Sequence, residues 1–428
     1  MNEAGFMYRT FYTWDHSTNW DLTQPGAQVS GSGNEYSKPQ EAFMEDYTRL
    51  IDYMSELKLN HLIIWGALRD SHGGVDALKR LIEYGRAKGV RVAPGVGIGC
   101  YGGSYYDGDH KFSLIYMLQK HPELSALGQD GKPMRWHNNN PRRAIACPRN
   151  ERVMDWTLRS IRWLMAEVNP DAIHFETGDY GVCQCELCQE AGSREMRTSN
   201  EDMAEVLPPV VAEVRAYRTD CLLSYNHYTG YKREMMINPP AFARQIPGDV
   251  ICKWGVSRMF APKLASSSIK DWQKKEPMDP MFKPPTINNM GHLHFGSGHW
   301  GSPRGTLEIA RFLVSMPLIS KVGFQGVCMH GEESNLNPPA ELNYHVYAAL
   351  AENPDALPSD IARWSVGEIY GDQGLAADVL NAFKGEDVPR DLPPRVAKAA
   401  AKADGQTKVR LNWLTFELHG LAERTSAR

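Results

Sequence analysis

The chain has 428 residues, of which 42% are hydrophobic and 23% charged, and a formal net charge of -4 at pH 7. This composition is that of a globular protein with a sizeable core, and it excludes a disordered or fibrous chain. The near-neutral balance, without a long run of Lys or Arg, argues against nucleic acid as a partner.

The chain also gives no sign of a membrane partner. No segment approaches the ~18 consecutive apolar residues that a membrane helix requires, and the first residues lack the basic start and apolar core of a signal peptide. The compartment stays open, because a chain of this kind is either cytoplasmic or secreted or periplasmic after processing.

Buried apolar runs and amphipathic runs alternate along the chain, and they predict strands and helices respectively. Strands are predicted at residues 6–14, 60–68, 90–98, 171–176, 222–227, 249–256, 286–294 and 322–329. Helices are predicted at residues 43–59, 75–88, 148–168, 200–217, 305–316, 343–351, 358–369 and 409–424. The long irregular segment 100–150 interrupts this rhythm, which is typical of a functional loop.

The alternation of strand and helix predicts right-handed crossovers and a parallel sheet. Eight strands is the number that closes a (β/α)8 TIM barrel, an α/β fold that carries its catalytic side chains at the C-terminal ends of the strands. We expect this barrel, with long βα loops, to span residues 6–335. A C-terminal helical extension, residues 336–428, is expected to pack on it.

Two carboxylates follow the fourth predicted strand, where Glu176 and Asp179 flank Gly178. Cleaving an acetal requires a proton donor on the leaving oxygen and a carboxylate that stabilises or attacks the developing cation. The pair is therefore predicted to be catalytic, although a helix cap or a loop salt bridge would explain either residue alone. Because residues three apart could be too close to act on opposite sides of a bond, Glu332 and Glu333 are rival sources of the second carboxylate.

Histidines and aromatic residues recur at the predicted strand ends, where they could hydrogen-bond or stack against a sugar. Each of them alone could equally be a core or capping residue. The predicted substrate-binding residues are Trp14, Asp15, His16, Trp65, His227, Tyr228, Trp254, His292, His294 and Trp300. Asp15 is also a third source of a catalytic carboxylate. His292 and His294 lie on one side of a strand, which keeps a catalytic metal open.

Cysteines are clustered after the fourth strand, as Cys183-x-Cys185-x-x-Cys188. This spacing can chelate a soft metal if a fourth ligand arrives, and Cys147 before the preceding helix is the candidate. The hypothesis is a structural zinc ion that joins two loops, with no cofactor required for catalysis. Free thiols or one disulfide are the alternatives. The spacing differs from the three-cysteine motif of radical enzymes, which disfavours an iron–sulfur cluster.

Three patches of sequence carry a family resemblance. They are His174-Phe175-Glu176-Thr177-Gly178-Asp179 with the cysteines behind it, Cys147-Pro148-Arg149-Asn150 before a helix, and the segment 343–371 with Leu350-Ala351-Glu352-Asn353-Pro354-Asp355. Together they resemble the α-glucuronidase and β-hexosaminidase-like glycoside hydrolases. The last patch corresponds to a Leu-Ala-Trp-Asn-Pro-Asp pattern of those enzymes, with Glu352 in the Trp position.

The resemblance covers roughly residues 6 to 372. It implies a (β/α)8 barrel with a general acid after strand four, which maps onto Glu176. Hexosaminidases usually have an adjacent Asp-Glu pair there, whereas this chain has Glu176 and Asp179 three apart, so acetamido-assisted chemistry is not carried over. Such enzymes usually also have an N-terminal β domain, and this chain starts almost at strand one.

The sequence thus predicts an exo-acting glycoside hydrolase with a carbohydrate substrate. Glu176 would donate the proton, and Asp179, Glu332 or Glu333 would act as base or nucleophile. Arg9, Lys253, Arg258 and the histidines extend the prediction to acidic sugars. The alternatives are a metal-dependent hydrolase or lyase and a non-catalytic carbohydrate-binding barrel, since barrels host many chemistries. A homo-oligomer is compatible with each.

Overall fold

The computed structural model describes residues 5–20, 38–106, 108–134, 145–176, 183–190, 199–227, 245–255, 288–297, 307–384 and 388–426. The remaining residues lie outside the description. Within these ranges, no helix is long and apolar enough to cross a membrane.

Eight parallel strands form one closed barrel in which each strand pairs with its neighbours in chain order and the last pairs with the first. The strands are β1 Tyr8–Trp14, β2 His61–Trp65, β3 Arg91–Gly97, β4 Ala172–Glu176, β5 Leu222–His227, β6 Ile251–Gly255, β7 Asn289–Ser297 and β8 Gly326–Gly331. The predicted (β/α)8 barrel with C-terminal helices is therefore confirmed.

In the described ranges, helices lie between several of the strands and after the last one. The helices in the described ranges are α1 Gln40–Glu56, α2 Gly74–Ala87, α3 Leu114–Lys120, α4 Glu151–Glu167, α5 Glu186–Glu190, α6 Ser199–Tyr217, α7 Ile309–Lys321, α8 Pro338–Glu352, α9 Pro358–Tyr370, α10 Gln373–Phe383, α11 Leu392–Ala400 and α12 Gly405–Ser426. The predicted irregular segment 100–150 contains α3, and α10 and α11 were not expected from the sequence.

Side chains along each strand alternate between two hydrophobic cores, one outside the barrel and one inside it. Side chains that point outward from the strands pack with the helices in the main hydrophobic core, as Phe11 and Trp254 do. Side chains that point inward form a smaller core inside the barrel, to which Tyr12, Trp65 and Met290 belong. Because successive residues of a strand face opposite sides, a shift of one residue moves a side chain from one core to the other.

The C-terminal helices cover the outer face of the barrel beside β1. Tyr347 on α8 stacks on Phe11 of β1 with ring centroids 6.0 Å apart, and its hydroxyl donates to the Thr10 carbonyl at 3.0 Å. On α12, the Arg410 guanidinium pairs with the buried Glu341 carboxylate of α8. The sequence-based division of the chain at residue 335 stays a prediction.

Candidate active site

Glu176 is the last residue of β4, at the C-terminal end of the barrel. It pairs in register with Gly97 at the end of β3, and its side chain is fully buried. His174 lies two residues earlier and therefore faces the same side of the strand. The apolar run that ends in Glu176 thus places a carboxylate inside the barrel, where it is separated from bulk water.

Three groups surround one oxygen of this carboxylate, Oε1. The Tyr12 hydroxyl donates to it at 3.0 Å, and His174 Nε2 lies 3.3 Å away. The Lys253 ammonium lies 3.8 Å from the same oxygen. Hydrogen-bond donors and a cation stabilise the negatively charged carboxylate. This environment favours a charged Glu176, and the sequence-based role of Glu176 as proton donor stays a prediction.

Lys253 projects inward from β6 and is fully buried. Its Nζ lies 3.7 Å from the centre of the Tyr12 ring, in a cation–π contact, and 3.1 Å from Nδ1 of His292. Burial lowers the pKa of Lys253, and the Glu176 carboxylate opposes that effect. Burial also raises the pKa of Tyr12 well above its ordinary value, and Glu176 raises it further, so Tyr12 stays a proton-bearing donor.

Three histidine rings complete the cluster. Burial lowers the pKa of His174 to about 4, so the ring is neutral at physiological pH. Its Nδ1 lies 2.8 Å from the Ser224 hydroxyl on β5. The His292 and His330 rings lie 4.9 Å apart and 5.1 and 5.5 Å from the Tyr12 ring. The interior therefore presents polar rings of β1, β4, β7 and β8 around one carboxylate.

A group of aromatic side chains lies at the ends of the first three strands. Trp14 stacks on Trp65 with ring centroids 5.0 Å apart, and Tyr101 contacts both edge-on at 5.5 Å. Trp65 also meets His174 edge-on at 6.0 Å, which joins this aromatic wall to the carboxylate cluster. The buried Trp65 Nε1 has no hydrogen-bond partner among the described residues. Tyr101 has a φ of 45°, a left-handed conformation that is uncommon for a tyrosine.

Other predicted site residues have structural contacts. Glu332 Oε1 accepts hydrogen bonds from the Trp14 backbone N–H and the Ser17 hydroxyl, both at 2.7 Å. This contact joins the ends of β8 and β1 where the barrel closes. Glu333 Oε1 accepts from the Asn337 side chain at 2.9 Å, at the start of α8.

Asp15 and Trp254 lie away from the carboxylate cluster. The Asp15 carboxylate contacts His72 Nε2 at 2.8 Å and Lys38 Nζ at 3.5 Å. Burial would raise the pKa of Asp15, but the charges of His72 and Lys38 outweigh it and lower the pKa. Trp254 follows the inward-facing Lys253 and so points outward, where its Nε1 donates to Asn289 Oδ1 at 2.9 Å. Its position in the main core differs from the predicted place at the mouth.

The remaining predictions fall outside the description. Asp179, Tyr228 and Trp300 lie in segments that are not described, as do the side chains of His16, His227 and His294. The predicted pairing of Glu176 with Asp179 therefore stays a prediction. So does the metal site at His292 and His294.

Sequence reasoning missed Tyr12, His174 and Tyr101 as members of the site. A signal existed for Tyr12, since it lies two residues before Trp14 in one strand and so shares its side. The same alternation links His174 to Glu176. Nothing local marked Tyr101, which reaches the aromatic wall through the loop after β3.

The four clustered cysteines come together as the sequence suggested. The sulfur atoms of Cys147, Cys183, Cys185 and Cys188 all lie within 4.8 Å of one another, and they are the group that could hold a metal among the described residues. They lie beside the barrel mouth and outside the Glu176 cluster, in a small apolar group of their own.

Comparisons with known proteins give structural similarities at low identity. No family profile and no curated protein matches the chain. It is similar in structure to an O-GlcNAc hydrolase of Thermobaculum terrenum (TM-score 0.49, 13% identity, 99% of this chain and 78% of that chain). A family 20 β-N-acetylglucosaminidase (0.47, 12%, 87% and 75%) and a maltogenic α-amylase of Thermotoga neapolitana (0.46, 10%, 81% and 76%) are similar too. Similarities of this size assign no family to the chain.

Proposed function

We propose that this protein is a glycoside hydrolase that removes sugars from the end of an oligosaccharide or polysaccharide. One observation carries the proposal: the buried Glu176 carboxylate is held by Tyr12 and Lys253 at the C-terminal end of a barrel strand, beside an aromatic wall. Carboxylates stabilise the oxocarbenium-like transition state of glycoside cleavage, and aromatic rings stack on sugar faces. Glu176 is fully buried, and a carboxylate at this depth favours attack at a chain end.

The environment of Glu176 supports a role as nucleophile. In this mechanism its carboxylate bonds to the anomeric carbon while the glycosidic C–O bond breaks, and the leaving oxygen takes a proton from a second acid. Water then cleaves the glycosyl–enzyme bond and returns a proton to that acid. Tyr12 and Lys253 keep the carboxylate oriented and charged before the attack.

Two residues are candidates for the second acid, which protonates the leaving oxygen. Asp179 is close in sequence, and Glu333 is half-buried at the end of β8. A retaining enzyme requires a carboxyl separation near ~5 Å, whereas an inverting one requires ~6.5–9.5 Å. The hydrogen bonds from the Trp14 N–H and the Ser17 hydroxyl support a structural role for Glu332.

The Lys253 side chain favours an acidic sugar. It is buried and faces the interior beside His292. A sugar carboxylate that approached Lys253 would gain a charge-assisted hydrogen bond in a dry site, where such bonds are strong. Uronides are therefore the first substrates to test.

The decisive experiment is hydrolysis of a panel of aryl glycosides and uronides by the wild-type protein, Glu176→Gln and the exposed-site control Glu83→Gln. We expect turnover to fall by ~10²-fold or more in Glu176→Gln and to be unchanged in Glu83→Gln. Circular dichroism verifies that each variant is folded. Sugar binding without turnover by the wild type would instead indicate a non-catalytic carbohydrate-binding barrel.

Rescue by azide distinguishes Glu176 as nucleophile from Glu176 as general acid and base. If Glu176 is the nucleophile, azide should restore turnover of an activated aryl glycoside by Glu176→Ala and give a glycosyl azide of inverted configuration. A glycosyl azide of retained configuration would make Glu176 the acid and base instead, as the family resemblance implies.

One observation favours a second function. Lys253 is a buried amine whose pKa is lowered by burial, with a carboxylate and a histidine within 4 Å. An amine of this kind can attack a carbonyl carbon and form an imine, as aldolases and lyases of this type require. Borohydride reduction with a panel of keto acids and sugar aldehydes tests it, since covalent labelling at Lys253 would replace the glycosidase proposal.

A further inference from the structure

The four-cysteine cluster lies where two segments of the chain meet. Cys147 precedes α4, Cys183 and Cys185 lie in the segment before α5, and Cys188 lies within α5. The Sγ atom of Cys147 is 3.5 Å from that of Cys185 and 3.6 Å from that of Cys188. Thirty-five residues separate Cys147 from Cys183 in the sequence, so the fold brings them together.

These distances fit one tetrahedral metal ion. A tetrahedron with Zn–S bonds of about 2.3 Å has sulfur–sulfur edges of roughly 3.8 Å. The observed sulfur separations of 3.5 and 3.6 Å are slightly shorter than that edge, and all four atoms lie within 4.8 Å of one another. Four thiolates with no histidine or carboxylate are a donor set that zinc prefers.

The backbone holds the sulfur atoms in place. The Leu127 N–H donates to Cys183 Sγ at 3.3 Å, and the Gln184 N–H donates to the Leu127 carbonyl at 2.8 Å. The Cys147 N–H donates to the Leu124 carbonyl at 2.9 Å. Donors aimed at a ligating sulfur stabilise the thiolate and orient it, as the outer contacts of metal sites do.

The surroundings of the cluster give a reason for a metal. Its apolar neighbours are few, namely Ala126, Ile145 and the partly buried Met134, and they form a group separate from the main core. So little apolar surface holds long loops together only weakly. A bound metal would supply the missing stabilisation.

We propose that Cys147, Cys183, Cys185 and Cys188 bind one structural Zn²⁺ ion, which ties the β3–α4 connection to the segment after β4. All four positions of the ion are taken by protein ligands, so the site is closed to substrate water and has no catalytic role. Six residues separate Cys183 from Glu176. The ion therefore anchors the far end of the connection that begins at Glu176.

The first test is metal analysis of the full-length wild-type protein purified without added chelator. We expect about one zinc per chain, released when a mercurial reagent modifies the thiols. Cys183→Ser should lose most of the zinc. The matched control is Cys221→Ser, which changes a buried cysteine whose Sγ donates to the Pro170 carbonyl, and it should keep the metal.

A spectroscopic test does not depend on the stability of any variant. Wild-type protein denatured, stripped of metal and refolded with Co²⁺ should show the intense visible bands and the sulfur-to-metal charge transfer of tetrahedral cobalt thiolate. Neither test uses catalytic activity, so it succeeds or fails independently of the glycosidase proposal.

Four outcomes would overturn the inference. Three of them are four freely titratable thiols with no bound metal, a disulfide between two of these cysteines in protein kept under reducing conditions, and stoichiometric iron in place of zinc when both metals are supplied. The fourth is a cobalt spectrum of octahedral oxygen ligation.

Discussion

Among single residues, Tyr12 makes the shortest contact to Oε1 of Glu176 among those described above, at 3.0 Å. The two residues are 164 positions apart, and the hydrogen bond joins β1 to β4 across the barrel interior. Tyr12 also lies under the Lys253 ammonium, so one side chain organises both charged groups.

Tyr12→Phe should lower kcat/KM by roughly 10- to 10²-fold on the best glycoside substrate, because a hydrogen bond to a charged group contributes about 1.5–3 kcal/mol. The ring stays in place, so the cation–π contact with Lys253 should persist. Tyr84→Phe is the control, since its hydroxyl bonds Asp52 on the outer helices. Equal activity of Tyr12→Phe and the wild type would show that this hydrogen bond does not contribute to catalysis.

A buried histidine makes the free energy of unfolding depend on pH. Burial lowers the pKa of His61 from 6.5 to about 3. The folded state therefore keeps His61 neutral while the unfolded chain takes up a proton below pH 6.5. Stability is fully present above pH 6.5 and is lost as the pH falls towards about 3, at up to about 1.4 kcal/mol per pH unit for one proton.

His61→Gln should accordingly flatten this loss of stability by about one proton. Urea denaturation between pH 7 and pH 4, followed by tryptophan fluorescence, measures the dependence of the free energy of unfolding on pH. The exposed His121→Gln is the control. An unchanged slope in His61→Gln would place the acid sensitivity elsewhere.

At the scale of secondary-structure elements, Glu332 connects the last strand to the first. Its carboxylate accepts from the Trp14 N–H and the Ser17 hydroxyl, which lie at the end of β1. The contact therefore joins the end of β1 to the residue that follows β8.

Glu332→Gln should leave turnover nearly unchanged, because its amide oxygen can still accept both hydrogen bonds. Glu332→Ala should lower the free energy of unfolding by about 1–3 kcal/mol, since it leaves a buried backbone N–H without this acceptor. Denaturant titration and kinetic assays on the same preparations measure both effects. A fall of ~10²-fold or more in turnover of a well-folded Glu332→Gln would restore Glu332 as a catalytic candidate.

The helices that sequence patterns missed have local explanations. α11 begins with Leu392-Pro393-Pro394, and prolines in a first turn look like a spacer although they fit the start of a helix. α10 begins after Asp372, whose side chain accepts from the Gly374 N–H at 2.8 Å. The Gly near its start gave that segment the composition of a loop.

At the scale of the whole molecule, the C-terminal helices are part of the barrel's hydrophobic core. Tyr344 and Tyr347 on α8 are fully buried against Phe11 of β1. Arg410 on α12 is tied to Glu341 on α8, so the last helix is linked to the barrel through α8. The extension covers the surface where the barrel closes.

A chain ending at residue 335 should therefore be insoluble or bind hydrophobic dyes, because it exposes the outer face of β1. Expression of residues 1–335 beside the full chain, with size-exclusion chromatography and dye binding, measures this. A soluble fragment with a cooperative unfolding transition would instead make residues 6–335 an independent domain.

The sequence alone determined the fold class and the position of one catalytic candidate. Hydrophobic periodicity is a local property, so eight strands and their helices could be predicted without contacts. Glu176 could be predicted because it ends the apolar run of its own strand. The four cysteines were also found from spacing, since three of them lie within six positions.

Only the tertiary structure decided which side chains meet. Tyr12, Glu176 and Lys253 come from β1, β4 and β6, and their contact depends on closure of the whole barrel. Lys253 and Trp254 are neighbours in sequence, yet one faces the interior and the other the helices. A shift of one residue in strand register would exchange the sides that Lys253 and Trp254 face. Register is set by pairing between distant segments, which local sequence patterns do not record.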